Sequence, residues 1–245
     1  MIRKLFLLLF STLIICGCAP KAYISFMFDD GWSSVCTEAF PILSQYDYPA
    51  TVFLVTDCSG KCEGYMTWEQ INVLSDNGKW EIASHSHTHR DLTKLVLKDI
   101  EIELDKSIEV LKSRNYEITG FSTPYGRFNE LVVKSVKDRF KYHLLRAWDC
   151  DALNSINNID PYDLCAFEIK HDISVEEIKL IIDRAIAEKK WLILLLHNIA
   201  PEEDAKQYHI SRSTFLKMVE YINNAHIKVV TIKKYLEMQE MHNLY

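Results

Sequence analysis

Short apolar runs alternate along the chain with segments whose apolar residues recur at helical spacing. This alternation predicts repeated strand–helix units, whose strands form one parallel sheet. Residues 192–196 show no polar alternation, which is typical of a strand that is buried on both faces. Eight runs are predicted to be strands: residues 22–28, 50–55, 80–84, 120–124, 142–147, 165–169, 191–197 and 228–232. Seven or eight strands in this order favour a (β/α) barrel over an open doubly wound sheet.

Local signals predict where several helices begin and which faces they bury. Thr67 with Gln70 and Ser174 with Glu177 form capping boxes, which mark the first turn of a helix. A further predicted helix has an apolar stripe and an opposite polar face. Its apolar stripe consists of Ile100, Leu104, Ile108 and Leu111. Its polar face consists of Glu101, Glu103, Lys106 and Lys112.

The first residues have the layout of an export signal. Arg3 and Lys4 precede an uncharged apolar stretch, residues 5–15, which is too short for a stable membrane-spanning helix. Residues 15–18, Ile-Cys-Gly-Cys, resemble a bacterial lipobox, in which Cys18 would be lipidated after cleavage. We therefore expect a lipoprotein signal at residues 1–17, a tether at 18–21 and a single domain at 22–245. The alternatives are an ordinary cleaved signal and an uncleaved anchor.

Charge and cysteine content narrow the classes of partner. The whole chain has a formal net charge of −6, and removal of residues 1–17 would take away two basic residues. No basic block remains, which argues against a nucleic-acid partner, and no protein partner is inferred. Processing would leave an odd number of cysteines: Cys36, Cys58, Cys62, Cys150 and Cys165. Cys58 and Cys62 could form a disulfide in an exported protein or remain thiols.

Carboxylates and imidazoles follow three of the predicted strands. Asp29 and Asp30 follow the first strand, a histidine cluster at residues 85–89 follows the third, and His197 follows the apolar run at 192–196. Because parallel strands of α/β folds gather their carboxyl ends at one face, these groups are expected to meet there. Taken singly, Asp-Asp-Gly is also typical of a surface turn, and a lone histidine such as His197 is often structural.

The histidine cluster predicts a metal site. His85 and His89 could converge on one ion if the chain turns helically, whereas His85 and His87 could do so on an extended strand. Two histidines with one aspartate leave coordination positions open, which is typical of a catalytic site. The same set also resembles the ligands of non-haem iron oxygenases. Separately, residues 123–126 predict a tight turn whose N–H groups could bind an oxyanion.

In this order, the segments resemble the motifs of NodB-like polysaccharide deacetylases, carbohydrate esterase family four. The resemblance covers the chain from Ile24 to about Leu236, with Phe-Asp-Asp-Gly at residues 28–31, Ser-His-Ser-His-Thr-His at 84–89 and Leu-His at 196–197. Residues 65–68 and 229–232 are similar to connecting segments of the family. The resemblance implies an α/β fold that is a distorted (β/α) barrel with seven or eight strands, in a single domain.

The resemblance also implies roles for individual residues. Asp30, His85 and His89 would bind a divalent metal ion, with zinc as the expected ion, and His87 would not be a ligand. Asp29 would be the catalytic base and His197 the general acid. The backbone N–H of Tyr125 would stabilise the oxyanion. Trp148 is the candidate for contacting the substrate.

Two departures from the family pattern concern the residues that support the catalytic base and the catalytic histidine. The arginine that usually orients it is replaced by Ser122, and the usual Asp-Trp pair is absent from residues 148–155. A serine hydroxyl supplies neither charge nor a planar pair of donors, so Ser122 is not expected to orient Asp29. Arg146 ends the neighbouring predicted strand, and we hypothesise that it takes over this role. The alternative is that Arg146 is a surface or groove-lining residue that pairs with Asp149 or Asp151.

The combined prediction is a metal-dependent hydrolase that removes N-acetyl groups from a glycan. The protein would be exported to the bacterial envelope and held at the membrane by its lipid anchor. One alternative is an esterase that removes O-acetyl groups from a glycan. Another is a lipid-anchored glycan-binding protein without activity. An iron oxygenase is disfavoured, because such ligands usually lie on a jelly roll.

The anchoring prediction depends on Cys18. The exported protein should partition with membranes, and it should become soluble when Cys18 is replaced and an ordinary cleavage site is supplied. Membrane fractionation of both forms checks this expectation. Recovery of the unaltered protein entirely in the soluble fraction after export would contradict lipidation.

Overall fold

The strand-forming runs pair in parallel and close on themselves. The computed structural model describes residues 22–146, 151–201 and 208–242. Seven parallel strands are hydrogen-bonded in chain order, and pairing of the last with the first closes the barrel. They are β1 (Tyr23–Phe28), β2 (Ala50–Leu54), β3 (Trp80–Ser84), β4 (Gly120–Ser122), β5 (Tyr142–Arg146), β7 (Leu164–Glu168) and β8 (Trp191–Leu196). The predicted (β/α) barrel is confirmed.

Four short strands complete the sheets. β6 (Leu153–Asn154) pairs antiparallel with β8, and β11 (Lys228–Val229) pairs in parallel with the start of β1. β9 (Asn198–Ala200) and β10 (His209–Ser211) form a separate two-stranded sheet. Each of the eight predicted runs overlaps a strand, whereas β6, β9 and β10 were not predicted because runs of two or three residues carry no periodicity.

Helices and short helical turns connect the strands. A π-helical turn at Val35–Ala39 leads into α1, and short 3₁₀ turns occupy Leu92–Lys94 and Pro124–Gly126. The helices are α1 (Phe40–Gln45), α2 (Trp68–Asp76), α3 (Leu97–Lys112), α4 (Glu130–Lys137), α5 (Val175–Glu188), α6 (Arg212–Asn224) and α7 (Ile232–His242). Both predicted capping boxes are present, at the start of α2 and of α5. No helix within the described ranges is long and apolar enough to cross a membrane.

β8 shows why its sequence lacks polar alternation. Its six residues are all buried, and successive side chains belong to two different apolar clusters. Leu192, Leu194 and Leu196 pack with residues of the surrounding helices, whereas Trp191, Ile193 and Leu195 pack with side chains of the other cluster. Alternate residues of a strand point to opposite faces, so both faces of β8 must be apolar. The ring of Tyr235 on α7 lies 4.1 Å from that of Trp191.

One residue of α3 contradicts the predicted polar face. Glu103 was expected on the solvent side, but only 5% of it is exposed. Its carboxylate accepts hydrogen bonds from the backbone N–H groups of His87 and Thr88, at 3.2 and 2.8 Å, and from the Thr88 hydroxyl. The loop after β3 covers this part of the helix, which a periodic pattern cannot reveal. α3 therefore holds the histidine-containing loop through a buried carboxylate.

Loss of the contact between Glu103 and the loop should destabilise the protein. Glu103→Ala should lower the free energy of unfolding by about 1–3 kcal/mol, because it removes the acceptor for two N–H groups of the loop. Glu103→Gln should retain most of the stability, since its amide oxygen can still accept from the loop. Urea denaturation measures both effects.

Glu109→Ala is the matched control, because Glu109 is exposed on the same helix. This control should unfold at nearly the wild-type urea concentration. Equal stability of the Glu103→Ala and Glu109→Ala variants would show that the buried carboxylate does not hold the loop.

Candidate active site

Parallel register brings the predicted chemical groups to one end of the barrel. Phe28 lies opposite Leu196 of β8, and Asp29 donates its N–H to the Leu196 carbonyl at 2.9 Å. On the next side, the N–H of His85 donates to the carbonyl of Leu54 at 2.9 Å. The residues that follow β1, β3 and β8 are therefore set at the same level by backbone hydrogen bonds.

Asp30, His85 and His89 bring three potential ligand atoms together. One oxygen of Asp30, Oδ1, lies 3.5 Å from His85 Nε2 and 3.3 Å from His89 Nε2. The two Nε2 atoms are 3.2 Å apart. The three side chains meet the spacing needed to hold one ion, with all ligand atoms within 4.8 Å of one another. Their chemistry suits a divalent ion such as zinc, and three protein ligands leave a position open.

The orientation of His85 also fits a ligand role. Its ring is buried, and Nδ1 lies 2.8 Å from the backbone carbonyl of Ser122. A carbonyl only accepts, so Nδ1 carries a proton, and Nε2, the nitrogen that faces Asp30 and His89, is the atom that could bind an ion. Histidines that bind metals are commonly oriented in this way by a second hydrogen bond.

Four residues at this site have a left-handed backbone conformation. Asp30, Ser86, His89 and Tyr125 have φ values of 72°, 69°, 59° and 60°. Such conformations are uncommon for residues other than glycine and persist where the surroundings impose them. Local bonds supply this support, because the Ser86 hydroxyl accepts from the His89 N–H at 3.0 Å. Together with Glu103, this bond holds the loop at residues 85–89 in this conformation.

Asp29 is fully buried and is held from β4. The Ser122 hydroxyl donates to Asp29 Oδ2 at 3.0 Å, and His85 Nε2 lies 3.8 Å from the same oxygen. The prediction that Ser122 cannot orient Asp29 is therefore wrong: its single neutral donor reaches the carboxylate because β4 ends beside the site. The side chain of Arg146 lies outside the described residues, so its proposed role stays a prediction.

His197 is 3% exposed and follows the strand that pairs with β1. Its ring lies 5.3 Å from the ring of Tyr208. The next residue, Asn198, accepts a hydrogen bond from the Ser34 hydroxyl, and the same hydroxyl accepts from the Ile199 N–H at 3.0 Å. Ser34 thus connects the segment after β1 to the segment after β8, close to the two predicted proton-transfer residues.

The turn at residues 123–126 forms the wall beside His89. Tyr125 is 46% exposed, and its ring lies 4.6 Å from the His89 ring. Behind the turn, Thr123 shares a hydrogen bond with the ring of His143. Burial, aided by the charge of Lys137, lowers the pKa of His143 to about 3, so this ring is neutral at physiological pH. The turn is therefore supported by an uncharged buried histidine.

His87 lies apart from the three potential ligands. Its Nδ1 is 2.9 Å from the Thr56 hydroxyl, and its carbonyl accepts from the Asp57 N–H at 2.9 Å. These contacts join the histidine loop to the segment after β2. That segment contains a Cys58–Cys62 disulfide, the pairing that the sequence left open. Trp148 and Cys18 lie outside the described residues.

Sequence reasoning missed several residues that support the site. Three of them, Glu103, Thr56 and Ser34, act through contacts between residues that are distant in sequence. No local motif predicts such contacts. Trp32, which donates from its indole nitrogen to Asp30, was also missed. Its position directly after Asp-Asp-Gly was an available signal, because a large aromatic residue there must lie beside the predicted ligands.

Comparisons with known proteins agree with this geometry. The polysaccharide deacetylase family matches residues 17–141, just over half of the chain. A poly-beta-1,6-N-acetyl-D-glucosamine N-deacetylase of Staphylococcus epidermidis is 28% identical over 139 residues, covering 49% of this chain and 46% of the relative. The putative polysaccharide deacetylase YxkH of Bacillus subtilis is 29% identical over 111 residues, covering 45% of this chain and 39% of the relative. The chain thus covers less than half the length of these relatives.

Solved structures share the fold over a larger part of the chain. The Xyl-CE4 domain of a multidomain xylanase, from the hindgut metagenome of Trinervitermes trinervoides, has a TM-score of 0.64 at 22% identity. It covers 89% of this chain and 91% of the domain. A family 4 carbohydrate esterase from Streptomyces lividans has a TM-score of 0.58 at 17% identity, covering 86% of this chain and 93% of that structure. The resemblance inferred from the motifs is confirmed, and the chain belongs to the polysaccharide deacetylase family.

Proposed function

We propose that this protein removes N-acetyl groups from a glycan by metal-dependent hydrolysis. The observation that carries the proposal is the convergence of a buried aspartate, a three-ligand group and a buried histidine at one end of the barrel. Family membership supports the reaction class, because the family is named for deacetylation of polysaccharides. The assignment of roles to residues is part of the proposal.

Asp30 Oδ1, His85 Nε2 and His89 Nε2 would hold the ion. When bound, a divalent ion polarises the acetyl carbonyl and lowers the pKa of a coordinated water toward ~7. Zinc is the ion that we propose, because two imidazole nitrogens and one carboxylate oxygen are among its usual ligands. The carbonyl of Ser122 would keep His85 in the required tautomer.

The remaining residues would move protons and stabilise charge. Asp29 takes a proton from the attacking water while the water oxygen forms a bond to the carbonyl carbon. The backbone N–H of Tyr125 donates to the carbonyl oxygen, where negative charge develops, and one such donor is typically worth ~3–4 kcal/mol. His197 then protonates the nitrogen, the carbon–nitrogen bond breaks, and acetate and an amine are released. An amide nitrogen leaves poorly without this proton.

The substrate class is proposed from the relatives. The Staphylococcus epidermidis relative is named for a polymer of N-acetyl-D-glucosamine, and another from Arthroderma benhamiae is named a probable peptidoglycan-N-acetylglucosamine deacetylase. We propose a glycan that contains N-acetylglucosamine as the substrate here. Export to the envelope and a lipid anchor at Cys18 would bring the site to such glycans.

A substrate panel tests the function. Purified protein, stripped of metal and then loaded with zinc, is given acetylated glucosamine oligomers, peptidoglycan and acetylxylan, and the acetate released is measured. We expect release from an N-acetylated substrate only after zinc is added. Release from acetylxylan alone would favour the O-acetyl esterase, and binding without any release would favour a glycan-binding protein.

The ligand set predicts a pattern among three single variants. His85→Ala and His89→Ala should each abolish stoichiometric metal binding, because each removes one of three protein ligands. His87→Ala is the matched control and should retain most of the binding, since its ring contacts Thr56 instead. Metal titration followed by elemental analysis measures all three. A larger loss in His87→Ala than in His89→Ala would overturn this ligand set.

The proton-transfer roles predict loss of turnover without loss of metal. Asp29→Asn and His197→Ala should each lower turnover of an N-acetylated substrate by about 10²–10⁴-fold, the usual contribution of a general base or acid. Metal content should be unchanged, because neither residue belongs to the ligand group. Steady-state acetate release with parallel metal analysis measures both quantities.

Asp57→Asn is the control, because Asp57 pairs with Lys61 in a partly exposed position on a neighbouring segment. Near-normal turnover of Asp29→Asn, with this control also active, would remove Asp29 from the mechanism. His197→Ala should lower the turnover of an ester substrate less than the turnover of an amide substrate, because an alcohol leaves more readily than an amine.

A further inference from the structure

The two oxygens of Asp30 have different partners. Oδ1 lies close to His85 Nε2 and His89 Nε2, at 3.5 and 3.3 Å. Oδ2 accepts a hydrogen bond from the indole nitrogen of Trp32 at 2.9 Å. The carboxylate is therefore divided between a metal-facing oxygen and an oxygen held by the protein.

An indole is suited to this task because its nitrogen only donates. Trp32 Nε1 cannot coordinate a cation or accept a hydrogen bond from a metal-bound ligand. A donor on Oδ2 opposes rotation of the carboxylate and coordination through both oxygens. Hydrogen bonds of this kind orient metal ligands, and their loss typically weakens metal binding about 10–100-fold.

The position of Trp32 is itself held from the segment after β2. Its ring stacks on the ring of Tyr65, with centroids 4.7 Å apart and planes inclined by 28°. The two residues also form an antiparallel backbone bridge, and the Ser33 N–H donates to the Gly64 carbonyl at 2.8 Å. Gly31 accepts from the N–H of Met66 at 2.8 Å. The indole thus lies between Asp30 and the segment at residues 64–66, which forms backbone hydrogen bonds with Gly31 and Ser33 on either side of Trp32.

We propose that Trp32 is a positioning residue, which restricts Asp30 to coordination through Oδ1 and thereby strengthens metal binding. This inference rests on the proposed metal site. The support from Tyr65 explains why the indole can hold a carboxylate whose own backbone is in the left-handed conformation. The contribution is to ligand geometry and not to the chemical step.

Trp32→Phe tests the proposal, because phenylalanine keeps an aromatic ring for Tyr65 but lacks the N–H. The dissociation constant for zinc is measured by competition with a chromogenic chelator, on the full-length mature protein. We expect zinc binding that is weaker on the order of 10-fold or more, with one ion still bound at saturation. The visible absorption spectrum of the cobalt-loaded variant should also differ from the wild type, because it depends on coordination number and geometry.

Trp68→Phe is the matched control. Trp68 is a partly buried tryptophan at the start of α2 that packs beneath Arg114, at 3.7 Å from ring centroid to guanidinium carbon. The same chemical change there should leave the zinc affinity and the cobalt spectrum unaltered. A general loss of stability would lower the intensity of the cobalt spectrum without moving its bands, so the band positions separate positioning from folding.

Tyr65→Leu provides a second variant that keeps the indole N–H but removes its stacking partner. It should weaken zinc binding and shift the cobalt spectrum in the same direction as Trp32→Phe. Wild-type affinity and spectrum in Trp32→Phe would overturn the role of Trp32 while leaving the metal site intact. Failure of the wild-type protein to bind zinc or cobalt would instead reject the metal site, and this inference with it.

Discussion

The parallel pairing of β1 with β8 is the constraint on which the site depends. Six residue pairs in register carry the chain from Tyr23 opposite Trp191 to Phe28 opposite Leu196. This pairing closes the barrel and makes Asp29 and His197 the next residues beyond the last pair. Both faces of β8 are buried, so a slip of one residue would exchange the side chains of two apolar clusters. The register that packs the core is therefore the same register that places the proposed base and acid.

The segments that follow the strands have unfavourable backbone conformations and are stabilised by contacts with other elements. Asp30, Ser86, His89 and Tyr125 all have left-handed backbones, and the Asp29 carboxylate is fully buried. Buried carboxylates are tolerated where hydrogen-bond donors surround them. Ser122 donates a hydrogen bond to the carboxylate of Asp29. The carboxylate of Glu103 instead accepts hydrogen bonds from N–H groups of the loop after β3. Distant elements thus compensate for local strain at the chemical end of the barrel.

The sequence predicted the strands and the chemical end of the barrel because both follow from local patterns. Apolar runs located the seven strands of the barrel and β11, and residues that follow parallel strands must share one face. The role of Glu103 depends on a tertiary contact, because its period places it on a polar face but a loop covers it. Trp32 was missed although it lies only two residues after Asp30. The prediction for Ser122 was wrong because residue chemistry alone does not give distance: β4 ends beside the site, where a short hydroxyl reaches Asp29.

The central claim is that one metal ion is held by Asp30, His85 and His89. Anomalous diffraction from crystals of the zinc-loaded protein, measured on both sides of the zinc absorption edge, tests this directly. The account predicts one strong anomalous peak about 2.0–2.2 Å from Asp30 Oδ1 and from Nε2 of His85 and His89. A peak bound by His87, or a site without a peak in protein that contains stoichiometric zinc, would contradict it.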